Sequence, residues 1–367
     1  MRRIVAQARK ELTQFVRDWR TLALALVLPL FMLLLLSAGL SLRVTDLPVA
    51  VQDFDDSPAS RRLLDAFRAS ISLRLVAWPV QRSADEALAS SAARAVVVIP
   101  EHFGRDIARG DDTPVQLLVD ASDANTAKLT AGYAGRIARE HNLRAEGAET
   151  APVRTAIRLW YNPGLSSKKF YGPGIYVLSL SMFPALLAAL AMAREGEQKT
   201  IVQVYVSSIS AHEFLLGKIA AFTLVALAEC ALMLAMLFTY FELGLVGDPT
   251  PFVVATVCYA LCVAAFGTMV GVTIPNQVGA MQVVAMGGFL LVFLLSGLIF
   301  PVENIPAGLR WISIFIWGRY YIEIVRDALL QGGGWPAVGW KVAVIALMTA
   351  AFYGIAWRRM RRMQLEA

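Results

Sequence analysis

The sequence predicts an α-helical membrane protein with six transmembrane helices and one inserted α/β domain. Of its 367 residues, 57% are hydrophobic and only 17% are charged, and the mean hydropathy is +0.56. A soluble chain of this length carries more charge. Six apolar runs each reach the roughly 20 residues that a helix needs to cross the hydrocarbon core. One polar segment, residues 44–171, separates the first run from the other five.

The first element is predicted to be an amphipathic helix over residues 1–20. One helical face carries apolar side chains, and arginines with Lys10 surround it. This pattern is typical of a helix that lies in the inner leaflet interface. The apolar face comprises Ile4, Ala8, Leu12, Phe15, Val16 and Trp19.

The spans follow from the apolar runs. The first is predicted at 21–43, the second at 172–193, the third to fifth within 215–300, and the sixth at 338–357. The first run is too long for a signal peptide and has no small-residue cleavage site, so it reads as an uncleaved anchor. Basic residues are in excess before the first span and in the tail 358–367. By the positive-inside rule, both termini are expected in the cytoplasm.

The polar segment 44–171 is therefore expected outside the cytoplasm. It alternates strand-like and helix-like pieces, which predicts a small α/β sheet domain. It has no cysteine, and its two histidines, His102 and His141, lack metal-ligand spacing. The acidic residues of the run Asp53–Asp56 suit a turn and helix start, although a cation is an alternative. A binding or docking module is the favoured interpretation.

Residues 301–337 are predicted to form a re-entrant or interfacial helical hairpin on the outer side. The segment is aromatic and amphipathic, and Arg319, Glu323 and Asp327 are spaced four apart, so they should share one helical face. Irregular backbone at membrane depth is acceptable only when it is buried in protein. Arg319, Glu323 and Arg326 are its candidate functional residues.

Polar and aromatic residues within the spans are candidates for a translocation path. Glu229 lies near the middle of span three, where a charge is expensive and often functional. A protonated carboxyl in an interhelical hydrogen bond is the structural alternative, and packing is the alternative for the others. The candidate set is Met182, Phe183, Glu229, Gln282, Phe289 and Phe293.

The Gly217–Lys218 pair is not part of a phosphate-binding loop. Such a loop has glycine five residues before the pair and Ser or Thr after it, whereas His212 and Ile219 stand there. No other stretch fits the pattern. The chain is therefore not expected to be an enzyme or to hold a cofactor or metal, and any nucleotide should bind to another chain.

Several stretches resemble type-2 ABC-transporter permeases, in particular bacterial exporter permeases with a large extracytoplasmic domain between spans one and two. "VAVQDFDDSPASRRLLDAF" and "AVVVIPEHFGRDIARG" resemble that domain, "YNPGLSSKKFYGPG" the entry into span two, and "SGLIFPVENIPAGLRWIS" the outer hairpin. The order of features also matches from end to end.

The resemblance implies that residues 194–214 are a cytoplasmic coupling loop, docked on a separate ATPase subunit. The residues that this role would involve are Arg194, Glu195, Glu197, Thr200, Val204, Glu213, Gly217 and Lys218. Lys199 and Ser208 depart from the pattern, at positions where the family usually has glycine and often has proline.

The same resemblance implies a permease of the bacterial inner membrane that exports an amphipathic or drug-like molecule. Its implied partners are ABC ATPase subunits that hold ATP and magnesium, a second permease copy or paralogue, and a periplasmic membrane-fusion adaptor, within membrane lipids and without nucleic acid. In such permeases spans two and five face the dimer axis. Two other classes stay open: a membrane sensor or assembly scaffold, and a proton-coupled secondary transporter with Glu229 as relay.

Overall fold

The computed structural model describes residues 1–39, 47–70, 72–90, 92–111, 113–120, 130, 132–137, 167–200, 209–274, 276–298, 302 and 305–366. The chain forms two compact units. The first joins Met1–Ser41 to Leu159–Ala367 and is helical, and the second is Leu42–Arg158.

The helical unit begins with two helices that meet at a sharp bend. Helix α1 is Arg2–Arg17 and α2 is Trp19–Gly39, and their axes differ by 94°. Asp18 lies at the corner, where its carboxylate accepts hydrogen bonds from the amide and the hydroxyl of Thr21 at 3.3 and 2.6 Å. A carboxylate at the start of a helix satisfies amides that have no partner within the helix, so Asp18 fixes where α2 begins.

The second unit is a four-stranded sheet with helices, as the alternating pattern predicts. Its elements are β1 (Leu47–Asp53), α3 (Pro58–Arg68), β2 (Leu73–Ala77), α4 (Ala84–Ala89), β3 (Ala95–Ile99), α5 (Phe103–Arg109) and β4 (Gln116–Val119), and residues 132–137 are helical. The strand order is β2-β1-β3-β4. The β1–β2 and β1–β3 pairs are parallel, and β4 is antiparallel to β3.

The acidic run after β1 is turn chemistry. Asp53 accepts hydrogen bonds from the amides of Asp55 and Asp56 at 3.0 and 3.1 Å, and Asp55 accepts one from the amide of Gly104 at 2.9 Å. Ser57 caps α3. Within the described ranges no group of three or more His, Cys, Asp or Glu side chains is placed to hold a metal ion.

The remaining helices of the first unit follow after the sheet. They are α6 (Ser167–Glu197), α7 (Ala211–Thr239), α8 (Thr250–Thr273), α9 (Gln277–Leu295, with a π-helical segment Ala285–Leu291), α10 (Ala307–Ser313), α11 (Trp317–Arg326, followed by a π-helical turn Asp327–Gln331) and α12 (Trp335–Glu366).

The helices α6, α7, α8, α9 and α12 are each long and apolar enough to cross a membrane, and the bent α1–α2 pair makes a sixth candidate. Two helices continue past the predicted ends of their spans. Helix α6 continues to Glu197, so residues 194–197 are helical rather than loop. Helix α12 continues through residue 366, so the basic tail extends span six as helix. The end of an apolar run indicates where the hydrocarbon core should end, and a helix can continue beyond that point.

Close helix contacts hold the span core together. Helix α8 approaches α6 where glycines face alanines: a Cβ atom on Gly271 would lie 2.5 Å from the carbonyl oxygen of Ala189. Small residues at such crossings let backbones approach, which strengthens packing without an apolar driving force.

Candidate coupling site

Helix α1 lies across the start of α7, and Gly217 makes this approach possible. A Cβ atom at position 217 would lie 2.6 Å from the Cβ of Gln7 and 3.1 Å from the carbonyl oxygen of Ile4. No ordinary side chain fits in that space. The glycine of the Gly217–Lys218 pair therefore serves a helix crossing.

Lys218 is fully buried beneath α1, in a cluster of charges. Its Nζ lies 2.9 Å from Glu11 Oε1 on α1 and 3.3 Å from Glu195 Oε2 on α6. Glu11 is itself only 4% exposed. We name Glu11, Glu195 and Lys218 the junction cluster. A buried amine is tolerated only when carboxylates offset its desolvation, and here two helices supply them.

Two further side chains contact the junction cluster. Gln7 Nε2 donates a hydrogen bond to Glu11 Oε1 at 2.9 Å. Lys10 Nζ lies 3.2 Å from Glu195 Oε1, with its side chain about half exposed. Two lysines thus face two carboxylates, and α1, α6 and α7 are joined by charge at one point.

The start of α7 is fixed by a reciprocal cap. The Ser210 hydroxyl accepts a hydrogen bond from the Glu213 amide at 3.2 Å, while the Ser210 amide donates to Glu213 Oε2 at 3.1 Å. Arg3 of α1 lies 3.6 Å from Glu213. This capping box fixes the residue at which α7 begins.

The predicted coupling residues divide into two groups. Glu195, Gly217 and Lys218 meet beneath α1, so the two residues of the Gly-Lys pair contact α1 and are not on the surface. The others lie nearer the surface: Arg194 is exposed, Glu197 binds Gln277 of α9, Thr200 donates to the Glu195 carbonyl at 3.3 Å, and Glu213 belongs to the cap. Val204 lies outside the described residues.

Sequence reasoning missed Gln7 and Glu11, the two fully buried side chains of α1. The predicted apolar face is only partly covered: Ile4, Ala8, Leu12 and Phe15 are half-buried, whereas Val16 and Trp19 are exposed. The sequence did contain one indication that Glu11 is unusual, because it is the only acidic residue among the first 17.

The predicted path residues occupy three helices. Glu229 of α7 is 1% exposed, and neither carboxylate oxygen has a hydrogen-bond partner among the described residues. Met182 and Phe183 of α6 are half-buried, and Gln282 of α9 is exposed. Phe289 and Phe293 stack with ring centroids 5.7 Å apart. Their role in a path stays a prediction.

A buried tyrosine network was also missed. Tyr176 of α6 bonds Cys230 of α7 at 2.7 Å and Tyr321 of α11 at 3.2 Å, and Tyr321 bonds Thr256 of α8 at 2.8 Å. Tyr259 stacks on Tyr321 with centroids 3.8 Å apart. The network ties α11 into three spans. The sequence around each tyrosine does not predict this network, because the hydrogen-bond partner of each hydroxyl lies on another helix.

The three residues predicted to share one helical face of the hairpin, Arg319, Glu323 and Asp327, each contact a different group. Arg319 donates to the Ser313 hydroxyl at 2.6 Å, Glu323 pairs with Lys341 of α12 at 2.8 Å, and Asp327 accepts from the amides of Gly333 and Gly334 at 2.9 and 3.0 Å. Arg326 donates to the carbonyls of Gly297 and Leu298 at 3.1 and 3.4 Å. Each charge joins α11 to a neighbouring segment.

Together these features define a multi-pass helical membrane protein whose sequence contains no phosphate-binding loop. The chain belongs to the ABC-2 transporter family: the family model described as "ABC-2 family transporter protein" matches residues 19–358.

Curated relatives carry the same class in their names. The chain is 28% identical over 371 residues to the probable multidrug ABC transporter permease YbhS of Escherichia coli K12, covering 98% of this chain and 97% of the relative. It is 26% identical to YbhR of the same strain, a probable multidrug ABC transporter permease (96% and 97% covered), and 25% identical to its inner membrane transport permease YhhJ (86% and 85%). The chain is a permease subunit of an ABC exporter, a system in which a separate ATPase supplies energy.

Proposed function

We propose that this permease exports an amphipathic or drug-like molecule across a bacterial inner membrane, with ATP and magnesium bound by a partner ATPase. The names of YbhS and YbhR, probable multidrug permeases that align along nearly the whole chain, support the cargo class. The name of YhhJ supports the membrane.

The proposed orientation places both termini, the junction cluster and residues 194–214 in the cytoplasm. The basic excess at the two chain ends supports it. The unit Leu42–Arg158 is then extracytoplasmic, where it would contact a membrane-fusion adaptor, and α10 and α11 form the outer re-entrant hairpin.

The junction cluster is the observation that carries the coupling proposal. A partner that presses on residues 194–214 would act on the end of α6 and the start of α7 together, because Lys218 holds Glu195 and Glu11 within 3.3 Å. Helices locked to one another transmit a displacement as a rigid body. Gly217 and Lys218 would thus act through α1, and the surface contact would come from the loop and the exposed side of α1.

A second permease is the other proposed partner. Only 28% of the most apolar 18-residue stretch of α9 is buried within this chain. The exposed side chains include Val278, Met281, Met286 and Leu290. A second copy or a paralogue would cover this face and, with α6, enclose the path.

The test is purification of the tagged protein from its native membrane in mild detergent, with identification of the copurifying chains. We expect an ABC ATPase, and we expect its loss when Glu195–Glu213 is replaced by a Gly/Ser linker. The matched control replaces Gly244–Val246, the connection at the other end of α7, by Ser-Gly-Ser and should retain the ATPase. Recovery of the folded permease without an ATPase would contradict the proposal and favour a sensor or scaffold.

One observation bears on whether protons also contribute to transport, as they would in the proton-coupled alternative. Glu229 is buried in α7, and neither carboxylate oxygen has a hydrogen-bond partner within the described part of the chain. Intramembrane carboxyls of this kind are frequent in proton relays.

A further inference from the structure

A cavity of about 350 Å³ lies where α11 and α12 meet the end of α9. Four charged side chains line it: Glu323, Arg326, Asp327 and Lys341. The coupling proposal uses none of them. Their formal charges cancel, so the hydrogen-bond partners of each group decide what the cavity can bind.

Three of the four charges already have strong partners. Glu323 and Lys341 pair with each other at 2.8 Å. Asp327 accepts from two backbone amides, those of Gly333 and Gly334, at 2.9 and 3.0 Å. These three groups can therefore remain in place without a ligand.

Arg326 is the exception. Its guanidinium donates only to the backbone carbonyls of Gly297 and Leu298 and lies 5.0 Å over the ring of Phe170. No carboxylate lies within ion-pair distance among the described residues, and Nε is buried without an acceptor. Glu323 attracts the guanidinium from beyond ion-pair distance, and the neutral carbonyls that hold it do not cancel its positive charge.

The residues that line the cavity lie near the ends of spans, a position that fits lipid headgroups better than the membrane interior. Phe170 stands near the start of α6, Ser296 and Gly297 just after the end of α9, and Lys341 near the start of α12. Trp311, Trp335 and Trp340 are exposed nearby in α10 and α12. Exposed tryptophans at span ends mark the membrane–water interface.

We propose that this cavity binds the phosphate group of a membrane phospholipid headgroup, with Arg326 as its main anchor. A guanidinium is suited to phosphate because its planar donors match two oxygens at once. Since the four lining charges sum to zero, the headgroup need not carry a net charge. The acyl chains would run along the exposed side of α12. Only 17% of the most apolar 18-residue stretch of this helix is buried within the chain.

The test is native mass spectrometry of the full-length protein, delipidated and then titrated with phosphatidylethanolamine, phosphatidylglycerol, diacylglycerol or inorganic phosphate. We expect both phospholipids to bind and diacylglycerol to bind about tenfold more weakly, because it lacks the charge-assisted bonds to phosphate. Arg326→Gln should lose about the same factor. Arg310→Gln, in α10 and outside the cavity, is the matched control and should bind as the parent does.

Arg326 also holds two carbonyls, so a second variant leaves it intact. Ala337→Phe, at an exposed position of the cavity lining, should block the cavity and weaken phospholipid binding as Arg326→Gln does. Equal binding of diacylglycerol and phospholipid would overturn the proposal, as would full binding by folded Ala337→Phe. Binding of inorganic phosphate without preference for lipid would overturn the lipid assignment and leave a free-anion site.

Discussion

At the scale of single residues, the burial of Lys218 governs the junction. Its amine has no exposed surface, and the carboxylates of Glu11 and Glu195 lie within 3.3 Å of it, where they offset the loss of surrounding water. The electrostatics of the junction therefore depend on the pairing of these three groups.

Lys218→Met should destabilise the protein by about 3–5 kcal/mol, the usual cost of leaving a buried charge without its partner. Thermal unfolding in detergent measures it. Combining the change with Glu11→Gln should restore part of the loss, because one of the two buried carboxylates that face position 218 is then neutral. Lys10→Met is the control: Lys10 is 46% exposed, and a surface pair contributes no more than about 1 kcal/mol. Equal effects of Lys218→Met and Lys10→Met would contradict the pairing.

Asp55 gives a pH-dependent prediction in the α/β unit. Hydrogen bonds from the Ser57 hydroxyl and the Gly104 amide hold the pKa of Asp55 below its ordinary value of 3.8. The ionised form is favoured in the folded state, so its contribution is complete above pH 3.8 and is lost as the pH falls through the lowered pKa.

Hydrogen exchange at the Gly104 amide, corrected for its intrinsic rate, should therefore stay slow at pH 3.8 and accelerate below it. Ser57→Ala removes the largest cause of the lowered pKa and should shift the acceleration toward pH 3.8. An unchanged pH profile in Ser57→Ala would show that Ser57 does not set this pKa.

At the scale of elements, the docking of α1 depends on the absence of a side chain at position 217. Gly217→Val should push α1 away from α7, since even a Cβ atom would lie 2.6 Å from Gln7. Overpacking costs about 1–3 kcal/mol, so limited trypsin cleavage within α1 should accelerate by roughly tenfold. Gly354→Val is the matched control, because nothing lies within 4 Å of a Cβ atom at that position. Equal cleavage rates in the two variants would contradict the crossing.

How far sequence predicts an element depends on where its partners lie. The strands and caps of the α/β unit follow from local pattern, because Ser57 and Ser83 bond amides two or three residues away. The buried face of α1 was mispredicted because Glu11 pairs with a lysine 207 positions away. Periodicity ranks residues by apolarity and carries no information about a distant partner.

At the scale of the whole molecule, the spans and the class of protein were predictable, whereas the candidate path was not resolved. Apolar length alone marks the spans, and the order of features along the chain marks the family. The path that we propose would be enclosed by two permeases and would depend on surfaces from both, so one chain's sequence would carry only half of its geometry.

Glu229→Gln separates the two energy sources. The change removes the charge and retains the shape of the side chain, so we expect ATP-dependent export in membrane vesicles to continue unchanged. Loss of export with the partner's ATPase activity retained would instead assign Glu229 a direct role in transport, as a cargo contact or as a proton relay. Dissipating the proton gradient is the control: it should leave export by the parent protein intact if ATP alone drives it.

The capping box at Ser210 and the junction cluster at Lys218 both fix the position of the first turns of α7. A helix of 29 residues is about 43 Å long, at about 1.5 Å per residue. Held firmly at one end and rigid along its length, α7 behaves as a lever: a tilt of about 5° at the grip moves the far end by about 4 Å at that length. A displacement too small to break any contact in the junction would thus be magnified at the opposite face of the membrane.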